Sequence, residues 1–314
     1  MQAWTCISID GNFVPYPSCC KSCSTLADEK TEMSDMNATM ARLERARPGK
    51  VILWTLLFLG GVVMVTPIVF MAATSFKTGQ EVFELSIIPD KPTLENYLFI
   101  LQESKFLRWM LNSLWVATFS TASVLFFDSL VGYTLAKFDF RGRQIVFIAI
   151  LSTLMIPTEM LIIPWYMMSR SFGWIDTYWG IAFPGLMTGF GTFLMRQFFM
   201  SLPDELIEAA RIDGWSEFAI WWRIAMPLVI PALSALAIFH FLGNWTAFIW
   251  PLIVTNDPDI YTIPVGIASF NGEFQMDWEV VMTASCLATL PTLLVFLLLQ
   301  KFIIRGIMLA GLKG

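Results

Sequence analysis

Charged residues are scarce in this chain of 314 residues. Asp, Glu, Lys and Arg make up 14% of it, whereas a soluble domain carries about 25%. Hydrophobic residues make up 56%, and the mean hydropathy is +0.63. This composition favours a lipid bilayer as the solvent. The formal net charge of −5 gives no indication of nucleic-acid binding.

Histidine is nearly absent, since His240 is the only one. That scarcity excludes most catalytic and metal sites built on histidine. The chain also lacks a G-x-x-x-x-G-K-[ST] phosphate loop, a nucleophile elbow and an H-E-x-x-H motif. We therefore expect no enzyme activity, and we assign no catalytic residue, no metal ligand and no cofactor-binding residue in this chain.

The N-terminal tail, residues 1–46, is polar and has no sustained hydrophobic period. It contains no apolar run long enough for a signal peptide. Four of the five cysteines lie here, but the C-C-x-x-C group that begins at Cys19 lacks a second group of ligands, so no zinc site is predicted. Three methionines between residues 33 and 40 are alternative starts, so part of this tail is expected to be absent from the natural protein.

Long apolar segments fill the rest of the chain. A bilayer core about 30 Å thick requires roughly 20 apolar residues in a helix. Six segments reach this length: residues 51–75, 111–136, 144–168, 178–200, 226–254 and 281–304. Prolines such as Pro157, Pro184 and Pro291 interrupt three of them, which membrane helices tolerate where neighbours or water take up the freed carbonyl groups. The sequence predicts an all-α integral membrane protein with six transmembrane helices.

The distribution of basic residues predicts the orientation. If both termini lie in the cytoplasm, five of the 20 Lys and Arg residues are external, and the other 15 are cytoplasmic. The external residues are Lys77, Lys91, Lys105, Arg108 and Arg170. The opposite orientation would invert a threefold bias, so we expect both termini inside.

One polar stretch, residues 201–227, separates the fourth and fifth apolar segments. Ser201 and Asp204 have the spacing of a capping box at a helix start. Gly214 is placed to end this helix with a positive φ angle, and a second short helix is predicted over residues 215–223. The pattern indicates a short amphipathic helix at the membrane surface.

This stretch resembles the loop that marks the permeases of ABC importers. The residues that carry the resemblance are Glu208-Ala209-Ala210, Gly214, Ile224 and Pro227, which match the spaced pattern E-A-A, G, I-x-L-P. Met226 stands where the family usually has Leu. Ile212-Asp213-Gly214 resembles the carbohydrate branch, the maltose-type second permease subunit. The resemblance covers roughly residues 47–314, which we take as the permease domain.

The resemblance implies a cytoplasmic coupling helix between helices 4 and 5 that docks on a separate ATPase. Glu208, Ala209, Ala210, Asp213 and Gly214 would make this coupling. ATP and Mg²⁺ would be bound by the ATPase and not by this chain. The implied partners are a homologous second permease, two ATPase subunits, an extracytoplasmic solute-binding protein and membrane lipid, in a bacterial inner membrane.

Several polar residues fall inside the predicted spans, where they are costly unless paired or hydrated. His240 and Asn244 lie four residues apart and share a helix face. With Trp245 and Thr246 they are candidates for the solute path, although interhelical hydrogen bonding explains them equally well. The resembling family often has Trp-Asn where this chain has Trp245-Thr246. Glu159 is also a candidate, for which a structural or gating role is favoured.

Asp128 falls inside the second predicted span, and we expect it near a helix–helix contact or a hydrated region. A direct role in binding the solute is the less favoured interpretation of this carboxylate.

The function that the sequence indicates is that of a permease subunit for a carbohydrate or a glycerol-phosphate-like solute. A secondary transporter driven by an ion gradient is the alternative. That class usually has inverted repeats and more intramembrane carboxylates, and no clear repeat is found here. An enzyme embedded in the membrane lacks a catalytic cluster.

The orientation can be checked with single reporter fusions. We expect fusions after Gln80, Gly173 and Gly272 to lie outside, and fusions after Phe140 and Gly214 to lie inside, because basic residues concentrate on the cytoplasmic side. Enzymatic reporters active on only one side of the membrane make the measurement. An outside signal at Gly214 would contradict docking of an ATPase on this loop.

Overall fold

The computed structural model describes residues 47–84, 86, 88–270 and 277–311. Within these residues the chain is helical and has no strand. The described residues divide into two units between Pro67 and Ile68. The polar tail over residues 1–46 and the fusion point after Gly272 lie outside the described residues.

Fourteen α-helices occur in the described residues. In chain order they are α1 (Arg47–Thr74), α2 (Glu95–Leu98), α3 (Phe106–Lys137), α4 (Arg143–Thr153), α5 (Ile162–Ser171), α6 (Tyr178–Ala182), α7 (Gly189–Met200), α8 (Asp204–Ile212), α9 (Glu217–Ile220), α10 (Met226–Leu228), α11 (Ile230–Trp245), α12 (Ile249–Val254), α13 (Ile263–Ser269) and α14 (Trp278–Gly311). Short 3-10 helices lie at Gly79–Phe83, Thr158–Leu161 and Phe183–Gly185, and π-helical turns at Phe99–Glu103 and Trp221–Ala225.

Three helices of the described chain are long and apolar enough to cross a membrane. They are Lys50–Thr74, Phe106–Lys137 and Trp278–Leu298. Two bent pairs meet the same test together: Arg143–Thr153 with Thr158–Ser171, bent by 93°, and Glu217–Leu228 with Ile230–Trp245, bent by 83°. By length and composition the described helices therefore provide up to five spans, and the count of six stays a prediction.

Proline accounts for the interruptions of the predicted third and fourth spans. It fixes φ and lacks the N–H that a helix interior needs. Pro157 precedes a 3-10 turn between α4 and α5. Pro184 lies in a 3-10 turn after α6, and the helix resumes only at Gly189. Residues 178–200, which we predicted as one span, are thus divided into α6, the turn and α7. Pro291, by contrast, lies inside the continuous α14.

The two helices α3 and α7 form the centre of the second unit. Position 132 of α3 lies beside 195 of α7, and Arg196 donates from Nε to the carbonyl oxygen of Leu135 at 3.3 Å. The contacts advance along both helices in the same direction, so the helices run parallel. A buried apolar cluster joins this pair to the 201–227 stretch and to α11: Val124, Tyr133, Met195, Phe199, Ile207, Ala210, Ile220, Trp221, Ala225, Val229, Ala232 and Leu236.

A second buried cluster lies at the other end of α3. It consists of Ile100, Phe106, Trp109, Ala117, Phe241, Trp245, Ile263 and Ala284. It brings the start of α3 together with the end of α11, the start of α13 and the first half of α14. Large side chains near both ends of α3 therefore lie in buried clusters: Phe106 and Trp109 in this one, and Tyr133 in the first.

Close packing of α3 on α7 predicts that Gly132→Ala destabilises the protein. A Cβ at this position would lie 2.8 Å from Met195 Cβ and 2.9 Å from the backbone nitrogen of Arg196. Because backbone cannot move aside easily, we expect a loss of about 1–3 kcal/mol from overpacking. The midpoint of thermal unfolding of the purified protein in detergent measures it.

The matched control is Gly243→Ala in α11, where an added Cβ meets nothing within 4 Å. This change should be neutral or should stabilise the helix by up to about 1 kcal/mol. Equal midpoints for the two variants would show that α3 and α7 are not in close contact at Gly132.

Candidate functional site

The N-terminal end of α8 is bound to the C-terminal end of α3. Lys137 Nζ donates to the carbonyl oxygen of Leu202 at 2.7 Å and to Asp204 Oδ1 at 2.5 Å. The Lys137 side chain is only 4% exposed, while Asp204 is exposed. The hydrogen bond from Lys137 lowers the pKa of Asp204. A charged carboxylate at this end also suits the partial positive charge of a helix start. The sequence did not reveal the role of Lys137.

The predicted capping box of Ser201 is wrong. Ser201 has helical backbone angles at the end of α7, and its Oγ donates backwards to the carbonyl oxygen of Phe198 at 2.8 Å. Pro203 is the N-cap residue of α8 and provides no side-chain hydrogen bond. The spacing of Ser201 and Asp204 was interpreted as a helix start. Ser201 instead ends the preceding helix, and its hydroxyl bonds to a carbonyl group of that helix.

A left-handed glycine ends α8. Gly214 has a φ of +82°. Its N–H donates to the carbonyl oxygen of Arg211 at 3.0 Å, and the N–H of Trp215 donates to Ala210 at 3.1 Å. These are the two bonds of a Schellman motif. The positive φ predicted for Gly214 is confirmed.

An ion pair closes the turn around Gly214. Arg211 Nε lies 2.7 Å from Glu217 Oε1, and its Nη2 lies 3.3 Å from Oε2. Glu217 raises the pKa of Arg211. Ser216 caps α9 by accepting from the N–H of Ala219 at 3.3 Å. The second helix, predicted from residue 215, therefore begins at Glu217, and it passes into a π-helical turn at Trp221.

The helix α8 has one buried face and one exposed face. Ile207 and Ala210 are buried in the protein's own apolar cluster. Ala210 therefore faces the protein's own core, and its expected part in the coupling stays a prediction. Glu208, Ala209 and Asp213 are exposed.

Exposed apolar side chains flank these three residues. Ile212 is 87% exposed and Leu206 is 46% exposed. The sequence analysis named Ile212 only for the resemblance to the carbohydrate branch, and it identified neither residue as part of an exposed apolar face. Their spacing relative to Ile207 and Ala210, which face the core, is the signal that could have identified them.

The residues proposed for the solute path do not meet at one place. His240 Nε2 lies 3.0 Å from the carbonyl oxygen of Gly185, to which it donates because a carbonyl only accepts. Asn244 Nδ2 donates to the carbonyl oxygen of His240 at 3.0 Å. Both side chains are half-buried. They face the 3-10 turn after α6, and Gly185 is a residue that the sequence analysis missed.

Trp245 and Thr246 lie on a different side of α11. Trp245 is buried, and its Nε1 donates to the carbonyl oxygen of Ala288 in α14 at 3.1 Å. Thr246 is exposed in a pocket of about 280 Å³. The pocket is lined by Trp245, Thr246, Ile263, Pro264, Ile267, Ser285, Ala288, Thr289 and Thr292. Glu159 is exposed in the 3-10 turn between α4 and α5, apart from both groups.

Hydrogen bonds and ion pairs of two acidic residues bind the loop between α12 and α13 to its neighbours. Asp176 accepts hydrogen bonds from the backbone N–H groups of Asn256 and Asp257. Burial alone would raise the pKa of Asp176, but these N–H groups lower it. Asp259 lies 2.8 Å from Lys105 Nζ and 3.3 Å from Arg108 Nη1. The hydrogen bond from Lys105, followed by the charge of Arg108, lowers the pKa of Asp259.

Residues 186–188 connect the 3-10 turn to α7, and we call them the break. Their backbone groups bond to side chains of other helices. Ser123 Oγ donates to the carbonyl oxygen of Leu186 at 2.8 Å. The N–H of Thr188 donates to both carboxylate oxygens of Asp128 at 3.1 Å. The expectation that Asp128 lies at a helix–helix contact is therefore confirmed.

Curated proteins similar to this chain are transport permeases. The chain is 35% identical over 253 residues to the arabinooligosaccharides transport system permease protein AraQ of Bacillus subtilis (strain 168), which covers 79% of this chain and 90% of that protein. It is 34% identical over 263 residues to the sn-glycerol-3-phosphate transport system permease protein UgpE of Escherichia coli (strain K12), covering 81% and 94%.

Solved structures share the fold. One is a bacterial ABC transporter involved in the import of the acidic polysaccharide alginate, with a TM-score of 0.73 and 23% identity over 81% of this chain and 96% of that chain. Another is a bacterial alginate ABC transporter in complex with an alginate pentasaccharide-bound periplasmic protein, with a TM-score of 0.54 and 16% identity over 84% and 94%.

The family model described as binding-protein-dependent transport system inner membrane component matches residues 128–308. This range includes α8, its Schellman turn and the whole of α11. Together with the identity to AraQ over most of both chains, it shows that this chain belongs to the family of binding-protein-dependent transport system inner membrane components.

Proposed function

We propose that this chain is the permease subunit of an ABC importer for a carbohydrate or a related solute, and that α8 couples it to a separate cytoplasmic ATPase. The observation that carries the proposal is the geometry of α8. It is a short helix closed by a left-handed glycine, with Glu208 and Ala209 exposed and Ile207 buried beneath them. The family membership supports an ATP-driven importer and not the alternative driven by an ion gradient.

The exposed face of α8 is suited to binding a protein surface. Ile212 and Leu206 provide apolar area, and Ala209 between them allows close approach. Glu208 and Asp213 provide acidic groups for basic residues of the partner. Because exposed apolar residues rimmed by charge are typical of interaction sites, we place the ATPase contact here.

Movement of α8 would be carried into the membrane part from both of its ends. Lys137 ties the start of α8 to α3. Arg211 and Glu217 tie its end to α9, which leads into α10 and α11. Closure of the ATPase subunits would therefore displace α3 and α11 together. We propose that this displacement switches the path between inward-open and outward-open states.

The remaining parts of the assembly follow from this proposal. A homologous second permease would complete the path, and two ATPase subunits would bind ATP and Mg²⁺. An extracytoplasmic binding protein would deliver the solute, which is supported by the periplasmic protein in a structure of the same fold. We place both termini of a six-span chain in the cytoplasm of a bacterial cell.

The pocket beside Thr246 suits a solute rich in hydroxyl groups. Thr246, Thr289 and Thr292 each donate their only hydroxyl proton to a carbonyl oxygen of their own helix, at 2.7–2.8 Å. Their oxygen lone pairs are left to accept hydrogen bonds. A carbohydrate hydroxyl is a donor that meets this requirement. We propose that this pocket and the half-buried pair of His240 and Asn244 line the path.

Coupling through α8 predicts that Glu208→Lys and Gly214→Val abolish transport while the protein still inserts. Glu208→Lys places a positive charge against a basic pocket, and Gly214→Val strains a left-handed position by about 1–3 kcal/mol. In the reconstituted complex, both should lose solute uptake and solute-stimulated ATP hydrolysis. Glu208→Lys should also lower the amount of ATPase that co-purifies with the complex.

Two control variants test whether a reversed charge or a strained glycine elsewhere in the chain is enough to abolish uptake. Asp139→Lys reverses an exposed charge in the loop after α3. Gly142→Val strains another open left-handed glycine, with φ of +89°. Both controls should keep most of the uptake. Wild-type uptake by Glu208→Lys and Gly214→Val would show that α8 is not the coupling element.

A hydrated path predicts that cysteines at His240 and Asn244 react with a small hydrophilic thiol reagent to a degree that depends on nucleotide. Phe239→Cys is the control, because Phe239 is 62% exposed on another face of the same helix, where we expect lipid to keep the reagent away. Asn244→Leu should reduce uptake about tenfold if one hydrogen bond to the solute is lost.

The reaction is measured in a chain whose native cysteines have been replaced. Cysteines at 240 and 244 that are inert in every nucleotide state, together with normal uptake by Asn244→Leu, would mean that this pair serves only the packing of α11 on Gly185.

A further inference from the structure

Asp128 is completely buried in α3, within a predicted membrane span. It lies nine residues before the end of the helix, a distance of about 14 Å along the axis. A charged group at this depth is costly unless something compensates it. Among the described residues no Lys or Arg forms an ion pair with it. The compensation must therefore come from elsewhere.

The start of α7 provides this compensation. Thr188 donates its N–H to both oxygens of Asp128 at 3.1 Å and its hydroxyl to Oδ2 at 2.6 Å. The Thr188 oxygen in turn accepts from the N–H of Gly191 at 2.9 Å, as the N-cap of the helix. Asp128 thus bonds to the residue that caps α7, at the end of the helix that carries partial positive charge.

The helix α7 is shaped to receive the carboxylate. A Cβ on Gly191 would lie 2.1 Å from Asp128 Oδ2 and 2.7 Å from Thr188 Oγ1. Only a glycine leaves room for the carboxylate against the first turn of α7. Asp128, Thr188 and Gly191 therefore pack closely together at the start of α7.

The two ends of the break are held by different side chains. At its first end, His240 binds the carbonyl oxygen of Gly185, the residue before the break, and Ser123 binds that of Leu186. At its last residue, Asp128 holds Thr188. Met187 between them is exposed. The first end of the break is thus bound to both α3 and α11, whereas its last residue is bound to α3.

Further contacts continue from Asp128 towards α8. Gly132 packs directly on Met195, and Arg196 bonds to the carbonyl oxygen of Leu135. Lys137 then binds Leu202 and Asp204. The group that contains α3, α7 and α8 is therefore fixed along its whole length, with Asp128 at the end farthest from α8.

We propose that Asp128 is a positioning residue that fixes the start of α7 to α3, so that α3, α7 and α8 move as one body. This inference rests on the proposed role of α8 in coupling. Without the carboxylate, α7 would slide or rotate on α3 when α8 is displaced. Part of the movement that the ATPase imposes on α8 would then not be transmitted to the solute path.

The first experiment measures hydrogen exchange of the amides at residues 188–192 in the assembled complex. Asp128→Ala should accelerate it at least tenfold, because the acceptor of the Thr188 N–H is removed. Thr188→Val, which loses the cap, should accelerate it as well, and Thr188→Ser, which keeps the hydroxyl, should not. Ser123→Ala is the matched control, since it removes a bond at the other end of the break and should leave these amides protected.

The second experiment measures solute transported per ATP hydrolysed, with arabinotriose and sn-glycerol 3-phosphate as probes. Asp128→Ala and Thr188→Val should reduce this ratio at least fivefold while ATP hydrolysis stays within twofold of the wild type. Thr188→Ser should restore the ratio. A role in stability alone would lower the amount of complex but not the ratio.

Unchanged exchange at residues 188–192 in Asp128→Ala, or an unchanged ratio, overturns the proposal. If Asp128→Ala does not assemble, Asp128→Asn and Thr188→Val are measured in its place, and failure of all three to assemble also overturns it, because the residue then serves stability. Wild-type uptake by Glu208→Lys would instead overturn the coupling role of α8. The exchange result would still show whether Asp128 fixes α7.

Discussion

A backbone N–H or carbonyl group inside a membrane has no water to bond, so an interrupted helix needs partners from its neighbours. In this chain the interruption between α6 and α7, which falls in the predicted fourth span, imposes that requirement on the rest of the second unit. Pro184 prevents a continuous helix, and the freed groups at Gly185, Leu186 and Thr188 are each met by a side chain. The serine, the aspartate and the histidine that meet them come from only two helices, α3 and α11. The interruption therefore determines which polar residues these two helices carry.

The helix α3 connects this requirement to the loop that contains α8. Ser123, Asp128, Gly132 and Lys137 follow one another along the helix at spacings of five, four and five residues, and Asp128 and Gly132, four residues apart, share a face. The first two meet the break, Gly132 meets the middle of α7, and Lys137 meets the connection to α8. Small and polar residues thus make contacts with the segment from Leu186 to Asp204 along the second half of α3. Because α7 runs parallel to α3, these four residues find their partners in chain order.

Much of this arrangement could be predicted from the sequence, and the rest depended on contacts between distant segments. Apolar length identified the regions of α1, α3 and α14, and the positive φ of Gly214 followed from its position after a helix. The capping box failed at Ser201 because this residue is the C-cap of α7 and its hydroxyl bonds back to Phe198. Ala210 packs in one cluster with Tyr133 and Trp221, and the residues next to Ala210 in the sequence do not identify these partners. Trp245 and His240 were grouped because they are close in sequence, yet one binds α14 and the other binds Gly185.

The attachments of α8 explain how a small surface helix could act on the interior. An exposed ion pair is worth little by itself, because water competes for both charges. Lys137 differs, since its side chain is buried against α3 and also bonds to a backbone carbonyl group. At the other end, the Schellman bonds and the forked contact of Arg211 with Glu217 fix the angle between α8 and α9. A force on Glu208 or Ile212 would therefore reach the bundle through backbone and buried contacts. The exposed face is then free to vary with its partner, while Ile207, Ala210 and the two attachments must keep their places.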